Sequence, residues 1–457
     1  MPVGRLEDAS GAEMDRPLGK RGWSLLVAGM VLHAIVYVLL NTPTPRVLRG
    51  DEVRYRAEAI SIADGVFPPP DFLWPPLQKW FLGSVYALFG DGWFPIAAIQ
   101  TALFLASAVL LRKLALRLGL GMAAADTAMG LFLLDPQIGS FALFLWPEVI
   151  HLFLVLAALA LLFPGRVDLS WRAFGGGACL GLAMLAKSVF GPFLPVVLLA
   201  TTARHGLPSK GGRLLRAAGA ATGLALVVLP VVLWNGSRHG YWGMASSGVF
   251  NLWVGLNDPP GRVDYDSVVQ RGLAIRHSSG RLPAEKDRDL ERLLGNEVRE
   301  RGLFPILRAQ LGKQYARLLD RKSFLTDQLP GGRWRPGESP RAADRLLEAW
   351  GTSLHVLTLV LSSFGMALAI SKSDIRRLAL PLLVVCYGLG LFLLLHAKTR
   401  YRVPFLPALD VLAGLTVARL AAWTAGRERP RASWLVPRLV AGAALSTLAI
   451  LAALPVL

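Results

Sequence analysis

Residues 22–40 read GWSLLVAGMVLHAIVYVLL, and this stretch decides the class of fold to which the chain belongs. A helix rises about 1.5 Å per residue, so roughly 20 apolar residues cross the hydrocarbon core of a bilayer. The Asn-Thr-Pro-Thr-Pro sequence of residues 41–45 then ends the helix, because proline cannot continue it. The apolar run has full span length and no small-x-small cleavage site, so we expect it to be retained as the first span.

The composition of the whole chain is that of a polytopic helical membrane protein. Of its 457 residues 53% are hydrophobic and 18% are charged, and the mean hydropathy is +0.46. Both cysteines, Cys179 and Cys386, fall in apolar segments, which argues against a disulfide, a metal ligand or a nucleophile.

The net charge of +18 comes largely from basic clusters in the short connections between apolar segments. These clusters are Lys20-Arg21, Arg112-Lys113, Arg204 to Arg216, Lys372 to Arg377 and Arg427 to Arg438. Such a distribution is typical of cytoplasmic loops under the positive-inside rule. We therefore expect membrane lipids, and no nucleic acid, as partners.

About eleven apolar segments predict an all-α polytopic membrane protein with about 11 transmembrane helices. The segments are 22–40, 93–111, 122–134, 149–163, 174–186, 190–203, 217–234, 352–370, 378–396, 403–422 and 439–457. Residues 77–90 are apolar but short, which fits either a juxtamembrane helix or the upper part of a broken second span. Alternation across the membrane brings Asp51, Glu148 and Lys187 to the outer side and the dense basic loops to the inner side.

The composition divides the chain into four regions. They are a cytoplasmic N-terminus (1–22), a transmembrane module (23–234) with a first external loop (41–76), a larger external segment (235–350) and C-terminal transmembrane helices (351–457). The first part of the external segment is rich in Gly, Ser, Asn and aromatic residues, so we predict a loop there. Residues 283–325 have helical leucine periodicity, and basic residues on the second helix favour an amphipathic helix at the membrane interface over direct substrate contact.

A short charged stretch, Asp51-Glu52-Val53-Arg54-Tyr55, follows the first span. In a helix, Asp51, Arg54, Tyr55 and Glu58 share one face close to the membrane surface. Acids at a helix start also act as N-terminal caps. A carboxylate with Arg and Tyr suits a reaction in which a hydroxyl loses its proton beside a lipid phosphate. Asp51 and Glu52 are therefore candidate catalytic residues.

Charged residues also interrupt the apolar segments further along the chain. Lys187 would cost on the order of 2.5–3.5 kcal/mol at the bilayer centre, which an outer turn relieves, so it either reaches lipid headgroups or contacts a phosphate. Glu148 and His151 are spaced i, i+3 and are candidates for a metal or an acceptor. Two residues do not make a metal site, so the metal stays unknown and a divalent cation stays open.

The run Lys398-Thr399-Arg400-Tyr401-Arg402 lies on the outer side by the same alternation, against the positive-inside trend. An anionic lipid-linked substrate would account for a basic cluster there. An interfacial anchor is the competing explanation.

The order of these motifs resembles the GT-C glycosyltransferases, and more closely the branch with the protein O-mannosyltransferases and the aminoarabinose transferase of lipid A. The matching features are Asp-Glu-x-Arg-Tyr after span one, an acid in the second external loop, a leucine-rich span ending in a lysine near Gly-Pro, and Arg-Tyr-Arg-x-Pro-x-x-Pro at residues 400–407. Residues 246–257 also resemble the Asn-Leu-x-x-Gly-Asn segment of bacterial members. The resemblance extends from Trp23 to about Leu415.

The resemblance implies a polyprenyl-phosphate sugar donor and an inverting transfer on the periplasmic face of the bacterial inner membrane. In it, Asp51 matches the general base and Glu148 the second-loop acid. The resemblance also places a set of residues at or near the donor phosphate and lipid carrier. They are Arg54, Lys187, Arg400 and Arg402, with the tyrosines of the same motifs, Tyr55 and Tyr401. The chain departs from the aminoarabinose transferase at Trp74-Pro75-Pro76, where that enzyme has a lysine before the proline, although Lys79 lies close by.

The acceptor stays open between a glycolipid, a polysaccharide and a protein, and we expect a monomer. The main alternative is a transporter or flippase for a lipid-linked sugar. Transporters usually have pseudo-symmetric halves with broken helices near the midplane, and no internal repeat is visible in this sequence. A non-catalytic assembly protein is the third alternative.

Overall fold

The computed structural model describes residues 17–66, 74–163, 170–197, 210–245, 247–257, 265–278, 280–369, 372–427, 430 and 432–454. In these residues all regular secondary structure is helical, which confirms the predicted all-α fold.

The α-helices are numbered here in chain order. They are α1 (Lys20–Asn41), α2 (Asp51–Ala63), α3 (Leu77–Phe89), α4 (Trp93–Arg117), α5 (Gly121–Leu134), α6 (Pro136–Gly139), α7 (Glu148–Leu162), α8 (Ser170–Ala186), α9 (Lys210–His239), α10 (Ser247–Asn257), α11 (Tyr265–His277), α12 (Pro283–Arg301), α13 (Leu303–Leu319), α14 (Phe324–Gln328), α15 (Ala342–Leu368), α16 (Lys372–Leu394), α17 (Leu406–Thr424) and α18 (Ala432–Ala453). Three 3₁₀ helices occupy Ser140–Leu143, Ser188–Phe193 and Thr399–Phe405.

The described part of the chain has seven helices that are long and apolar enough to cross a membrane. Helix α7 and the preceding segment Pro136–Leu143 add an eighth span if this pair, bent by 109°, counts as one. Two other predicted spans, α5 and α8, are 14 and 17 residues long, and the predicted span 190–203 extends beyond the described residues. The multi-pass fold is confirmed, and the number eleven stays a prediction.

Glycines allow neighbouring helices of the bundle to touch backbone to backbone. A Cβ atom on Gly177 of α8 would lie 1.9 Å from the carbonyl oxygen of Ala220 on α9, and one on Gly223 of α9 would lie 2.0 Å from that of Phe174. Small residues are the usual means by which membrane helices approach closely, because lipid provides no hydrophobic force between helices.

The two helices that follow α1, namely α2 and α3, pack against each other. Helix α2 begins at Asp51, after Gly50 with a φ of 56°, and α3 ends at Gly90 with a φ of 78°. Residues 77–89 therefore form a helix separate from α4. The juxtamembrane helix and the upper part of a broken second span both stay predictions. A Cβ atom on Gly83 of α3 would lie 2.7 Å from Cγ2 of Ile62 on α2.

The prediction of a loop at the start of the segment 235–350 was wrong. Residues there form α10 and α11, whose apolar side chains bury a separate cluster with α12. Its members include Phe250, Trp253, Val268 and Leu290. The aromatic residues sit at helical spacing among glycine and serine, and their burial against α12 outweighs the weak helix propensity of those neighbours.

The helices predicted from leucine periodicity are confirmed as α12 and α13. Helix α13 turns Ile306, Gln310 and Gln314 inward and exposes Leu303 and Phe304. The Gln314 side-chain oxygen accepts a hydrogen bond from the backbone of Ala397 at 2.7 Å, which ties α13 to the segment before α17. Its position at the membrane interface stays a prediction.

Candidate active site

Four of the charged residues singled out in the sequence meet at one place. Asp51 opens α2, Glu148 opens α7, Lys187 follows α8 and Arg400 lies in the 3₁₀ segment before α17. Nη2 of Arg400 lies 2.5 Å from Oδ2 of Asp51, and its Nε lies 4.0 Å from Oε1 of Glu148. Nζ of Lys187 donates to the same Glu148 oxygen at 3.0 Å. The four side chains form one network, which is called the acid–base network below.

Aromatic rings hold the Arg400 guanidinium in place. Its central carbon lies 4.9 Å from the ring centre of Trp146, 5.3 Å from Tyr401 and 5.9 Å from Phe324. Cations are attracted to the faces of aromatic rings at such distances. Among the described residues, Nε of Arg400 has no hydrogen-bond partner, so the fixed guanidinium keeps one donor unused.

Asp51 faces water on one side and Arg400 on the other. Its side chain is 28% exposed. Burial raises the pKa of the Asp51 carboxyl, but the charge of Arg400 and its hydrogen bond lower it by more, with further lowering by Lys398 and Lys187. The pKa therefore lies below its usual value, and Asp51 is a carboxylate at neutral pH.

Glu148 is buried, and only one of its two carboxylate oxygens is hydrogen-bonded. One of its oxygens accepts from Lys187, whereas the other, Oε2, has no hydrogen-bond partner among the described residues. Lys187 also lies 4.9 Å from the ring centre of Tyr401. A buried carboxylate oxygen without a partner is costly, so this atom is a candidate for contact with a bound ligand or water.

Glu52, the second predicted catalytic acid, points away from this network. It is fully buried, and both its oxygens accept from the guanidinium of Arg46, at 2.6 and 3.0 Å. It also accepts from the backbone of Leu145 at 2.8 Å. These contacts give Glu52 a structural role, since they tie α2 to the loop that carries Trp146.

Arg402 is also committed to structural contacts. Its guanidinium donates to the carbonyl oxygens of Leu318 and Asp320, at 3.3 and 2.5 Å, and to the side chain of Gln137 at 2.8 Å. It is buried, and it ties α13 to α6 and α17. A phosphate would have to displace these bonds to reach it.

The other predicted residues of α2 lie on the side of the helix that faces α3. Tyr55 is buried in the main core. Arg54 donates to Glu58 at 2.8 Å, and Lys79 of α3 donates to the other oxygen of Glu58 at 2.8 Å. Lys79 thus lies beside the predicted face of α2, in an ion pair outside the acid–base network.

Two predicted residues of the spans are buried beside the network. Nδ1 of His151 donates to the carbonyl oxygen of Ala183 at 2.9 Å, and the hydroxyl of Tyr401 lies 3.3 Å from Nε2 of His396. Within the described residues, no three His, Cys, Asp or Glu side chains group as metal ligands.

A cleft of about 1180 Å³ opens directly in front of Asp51 and Arg400. Its walls include aromatic and charged residues that the sequence analysis did not single out. They are Trp146, Phe324, Asp327, Arg333 and Trp334. Arg317 and Lys322, two of the basic residues predicted on or beside the amphipathic helix, also line the cleft. One signal in the sequence could have indicated part of this wall. Residues 331–337 read Gly-Gly-Arg-Trp-Arg-Pro-Gly, which is rich in turn residues and predicts an ordered loop after the amphipathic helix.

An apolar cavity of about 60 Å³ lies among apolar side chains of α4, α7, α8, α16 and α17. Its lining includes Phe190 and Phe193, which follow Lys187, and Pro404 and Pro407, which follow Arg400. A charged site and an apolar cavity are therefore joined by the same two chain segments.

No family model matches the chain, and no curated protein matches it. Among solved structures, the archaeal oligosaccharyltransferase AglB from Archaeoglobus fulgidus, in complex with an inhibitory peptide and a dolichol-phosphate, aligns with 94% of this chain at 14% identity and a TM-score of 0.49. The alignment covers 55% of AglB, so the chain spans about half the length of that protein.

Two structures of ArnT from Cupriavidus metallidurans are also similar to the chain. The structure bound to undecaprenyl phosphate aligns at 20% identity and a TM-score of 0.35, covering 90% of this chain and 79% of ArnT. The apo structure gives 19% identity and a TM-score of 0.35, with 89% and 78% covered. Identities of 20% or below with TM-scores below 0.5 assign neither a family nor a substrate.

Proposed function

We propose that this chain is a membrane glycosyltransferase of the GT-C type, which moves a sugar from a polyprenyl-phosphate donor to an acceptor hydroxyl or phosphate. The observation that carries the proposal is the contact between Asp51 and Arg400 at the edge of a large cleft, with Lys187 and Glu148 behind them. The acceptor class is a glycolipid, polysaccharide or protein, and the site faces the periplasm in a bacterial inner membrane.

The charge of the site fits a lipid-linked phosphodiester. Lys398 lies near enough to lower the pKa of Asp51, so three cations, Lys187, Lys398 and Arg400, surround two carboxylates, Asp51 and Glu148. These cations are the groups that would face an anionic phosphate. Arg400 is suited to bind the phosphate because its Nε is unused and its plane is fixed by aromatic rings.

The transfer needs one base and one anion site. The acceptor oxygen attacks the anomeric carbon from the side opposite the phosphate, and Asp51 takes its proton. The bond between the anomeric carbon and the phosphate oxygen breaks, and the phosphate leaves with the electron pair. Arg400 and Lys187 stabilise the added negative charge, so no acid has to protonate the leaving oxygen. The configuration at the anomeric carbon is inverted.

The apolar side chains that follow the cationic residues favour a lipid-linked donor over a soluble nucleotide-sugar. Phe190 and Pro404 begin the apolar cavity within four residues of Lys187 and Arg400. A phosphate held by those cations would direct its polyprenyl chain into the membrane along these side chains. This arrangement also agrees with the motif order by which the sequence resembles the GT-C enzymes.

The test is transfer by the purified protein in proteoliposomes that contain radiolabelled polyprenyl-phosphate sugars and a cell-envelope acceptor extract. We expect Asp51→Asn to lower the transfer rate by 10² to 10⁴, about the contribution of a general base, while donor binding persists. Asp91→Asn is the matched control, because Asp91 pairs with Arg56 at an exposed site outside the cleft.

Two outcomes would contradict the proposal. Turnover of Asp51→Asn at the wild-type rate removes Asp51 as the base. Movement of intact labelled donor across the bilayer, without transfer to any acceptor, supports a flippase instead.

A further inference from the structure

Resting on the proposed function, we infer that the cleft wall formed by Phe324, Asp327 and Trp334 is a subsite for a saccharide acceptor. The acceptor is then a glycan or the sugar headgroup of a glycolipid, and the three residues are called the saccharide wall below.

Two aromatic rings of the saccharide wall, Phe324 and Trp334, are partly exposed, and their centres lie 5.4 Å apart. The guanidinium carbon of Arg400 lies 5.9 Å from the ring centre of Phe324. Trp146 is buried behind this pair, with its ring centre 4.7 Å from that of Phe324. Sugar rings stack their C–H faces on aromatic rings, so a saccharide on Phe324 and Trp334 would bring one hydroxyl towards Asp51.

Asp327 supplies a polar group of the kind that binds sugar hydroxyls. Its carboxylate lies in the cleft wall and makes no hydrogen bond or close ion pair within the part of the chain that the structure describes. A carboxylate accepts two hydrogen bonds side by side, which suits neighbouring hydroxyls on a sugar ring.

The saccharide wall is held in a fixed shape before any ligand binds. The backbone N–H of Trp334 donates to the carbonyl oxygen of Asp327 at 3.0 Å. The buried guanidinium of Arg335 donates to the carbonyl oxygen of Leu40 at 3.1 Å, and Gln328 donates to that of Val47 at 2.8 Å. The loop is therefore anchored to the end of α1 and the segment that precedes Asp51, which lowers the cost of ordering it on binding.

The polar lining of the cleft suits the hydroxyl groups of a saccharide. The cleft mixes acids and bases along its rim, including Asp327 and Arg333. Such a lining provides many separate donors and acceptors for hydroxyl groups.

The test is equilibrium binding to the purified full-length protein in nanodiscs, measured by saturation-transfer NMR without donor. The probes are methyl glycosides of hexoses and N-acetylhexosamines, and a ten-residue peptide of Ala, Ser and Thr. We expect saturable binding of at least one glycoside, weakened about tenfold by Asp327→Asn and by Trp334→Ala. Trp334→Phe, which keeps a ring, should restore most of the affinity.

Matched controls separate a lost contact from misfolding. Asp64→Asn changes an exposed acid at the end of α2, and Trp242→Ala removes an exposed indole, so neither should change binding. Asp327→Asn should keep the wild-type melting temperature, because no described residue bonds to that carboxylate.

The inference is overturned if no glycoside binds, if both variants bind glycosides with wild-type affinity, or if only the peptide binds. Its failure differs from that of the proposed function. If sugar transfer proceeds but no glycoside binds, the proposed glycosyltransferase activity stands and the saccharide subsite is refuted. Glycoside binding that depends on Asp327, in a protein that transfers no sugar, supports the wall and counts against the proposed function.

Discussion

Asp51 and Glu52 are adjacent acids with different environments. Successive residues of a helix point about 100° apart, so only one of the two can face the cleft. Asp51 faces the cleft and Arg400, whereas Glu52 points inward to Arg46 and the Leu145 backbone. The sequence indicated a charged helix start, but the direction of the core was needed to distinguish the acid proposed as the base from the buried, ion-paired acid.

The pH dependence of the rate follows from the environment of Asp51. Burial raises its pKa, and the nearby Arg400 lowers it further than burial raises it, so the pKa lies below its ordinary value of 3.8. A carboxylate base with a depressed pKa is charged at every pH well above that depressed pKa. Its charge, and with it the catalysis, is lost only as the pH falls through the depressed pKa. We therefore expect no loss of rate due to Asp51 from pH 8 down to about pH 5.

The measurement is the single-turnover rate at saturating donor across this range. Arg400→Gln, although slower, should move the acid limb of its profile to higher pH, because the lowering charge is gone. If the rate of the wild type fell on the acid side with a midpoint at about pH 6, the assignment of Asp51 as the base would be contradicted.

At the scale of elements, the position of Asp51 depends on the packing of α2 against α3. The sequence predicted α2 from its charged face and left residues 77–90 undecided between two structures. Gly83 permits the packing of α3 on α2, since its missing side chain lets α3 approach Ile62 and the carbonyl oxygen of Ala59 closely. A single glycine in an apolar run does not identify its partner helix, so this contact could not be predicted.

Adding a methyl group at Gly83 should disturb this pair of helices. The new Cβ atom would lie 2.7 Å from Cγ2 of Ile62, and such overpacking costs about 1–3 kcal/mol. We expect Gly83→Ala to lower the melting temperature and the transfer rate together. Ile62→Ala in the same chain should recover only part of both, because it removes Cγ2 but keeps the Cβ atom of residue 62, which lies 2.9 Å from the new methyl group.

Gly295 of α12 provides the control for this prediction. A Cβ atom there meets nothing within 4 Å, so Gly295→Ala should leave activity unchanged and stabilise its helix by up to about 1 kcal/mol. If the Gly83→Ala variant has the melting temperature and the transfer rate of the wild type, the close packing of α2 on α3 does not position Asp51.

For the whole molecule, the sequence predicted the parts that depend on one-dimensional pattern. Apolar length gave the spans, and alternation across the membrane grouped Asp51, Glu148 and Lys187, which are indeed joined through one network. The cleft was missed because its walls come from distant segments, such as Trp146 and Trp334, that share no local pattern. The loop predicted near residue 250 failed for a related reason, since Leu290 supplies the burial that makes it helical.

The orientation of the whole molecule can be tested from the two ends of α4. Trp93 lies on the cleft side, where Arg46 stacks over its ring at 4.0 Å, and Lys113 lies 20 residues later on an exposed surface. At about 1.5 Å per residue, these positions are roughly 30 Å apart, the thickness of the hydrocarbon core. The basic Arg112-Lys113 pair should therefore lie in the cytoplasm if the cleft faces the periplasm.

Cysteine labelling in spheroplasts of a bacterial host measures this arrangement. With Cys179 and Cys386 replaced by alanine, Asp64→Cys should react with a membrane-impermeant maleimide from outside. Lys113→Cys should react only after the membrane is permeabilised, and both sites are exposed, so a difference in reactivity reports the side of the membrane. The reverse pattern would put Asp51 and Arg400 in the cytoplasm, where the donor would meet the site on the inner leaflet, and transfer to a periplasmic acceptor would be ruled out.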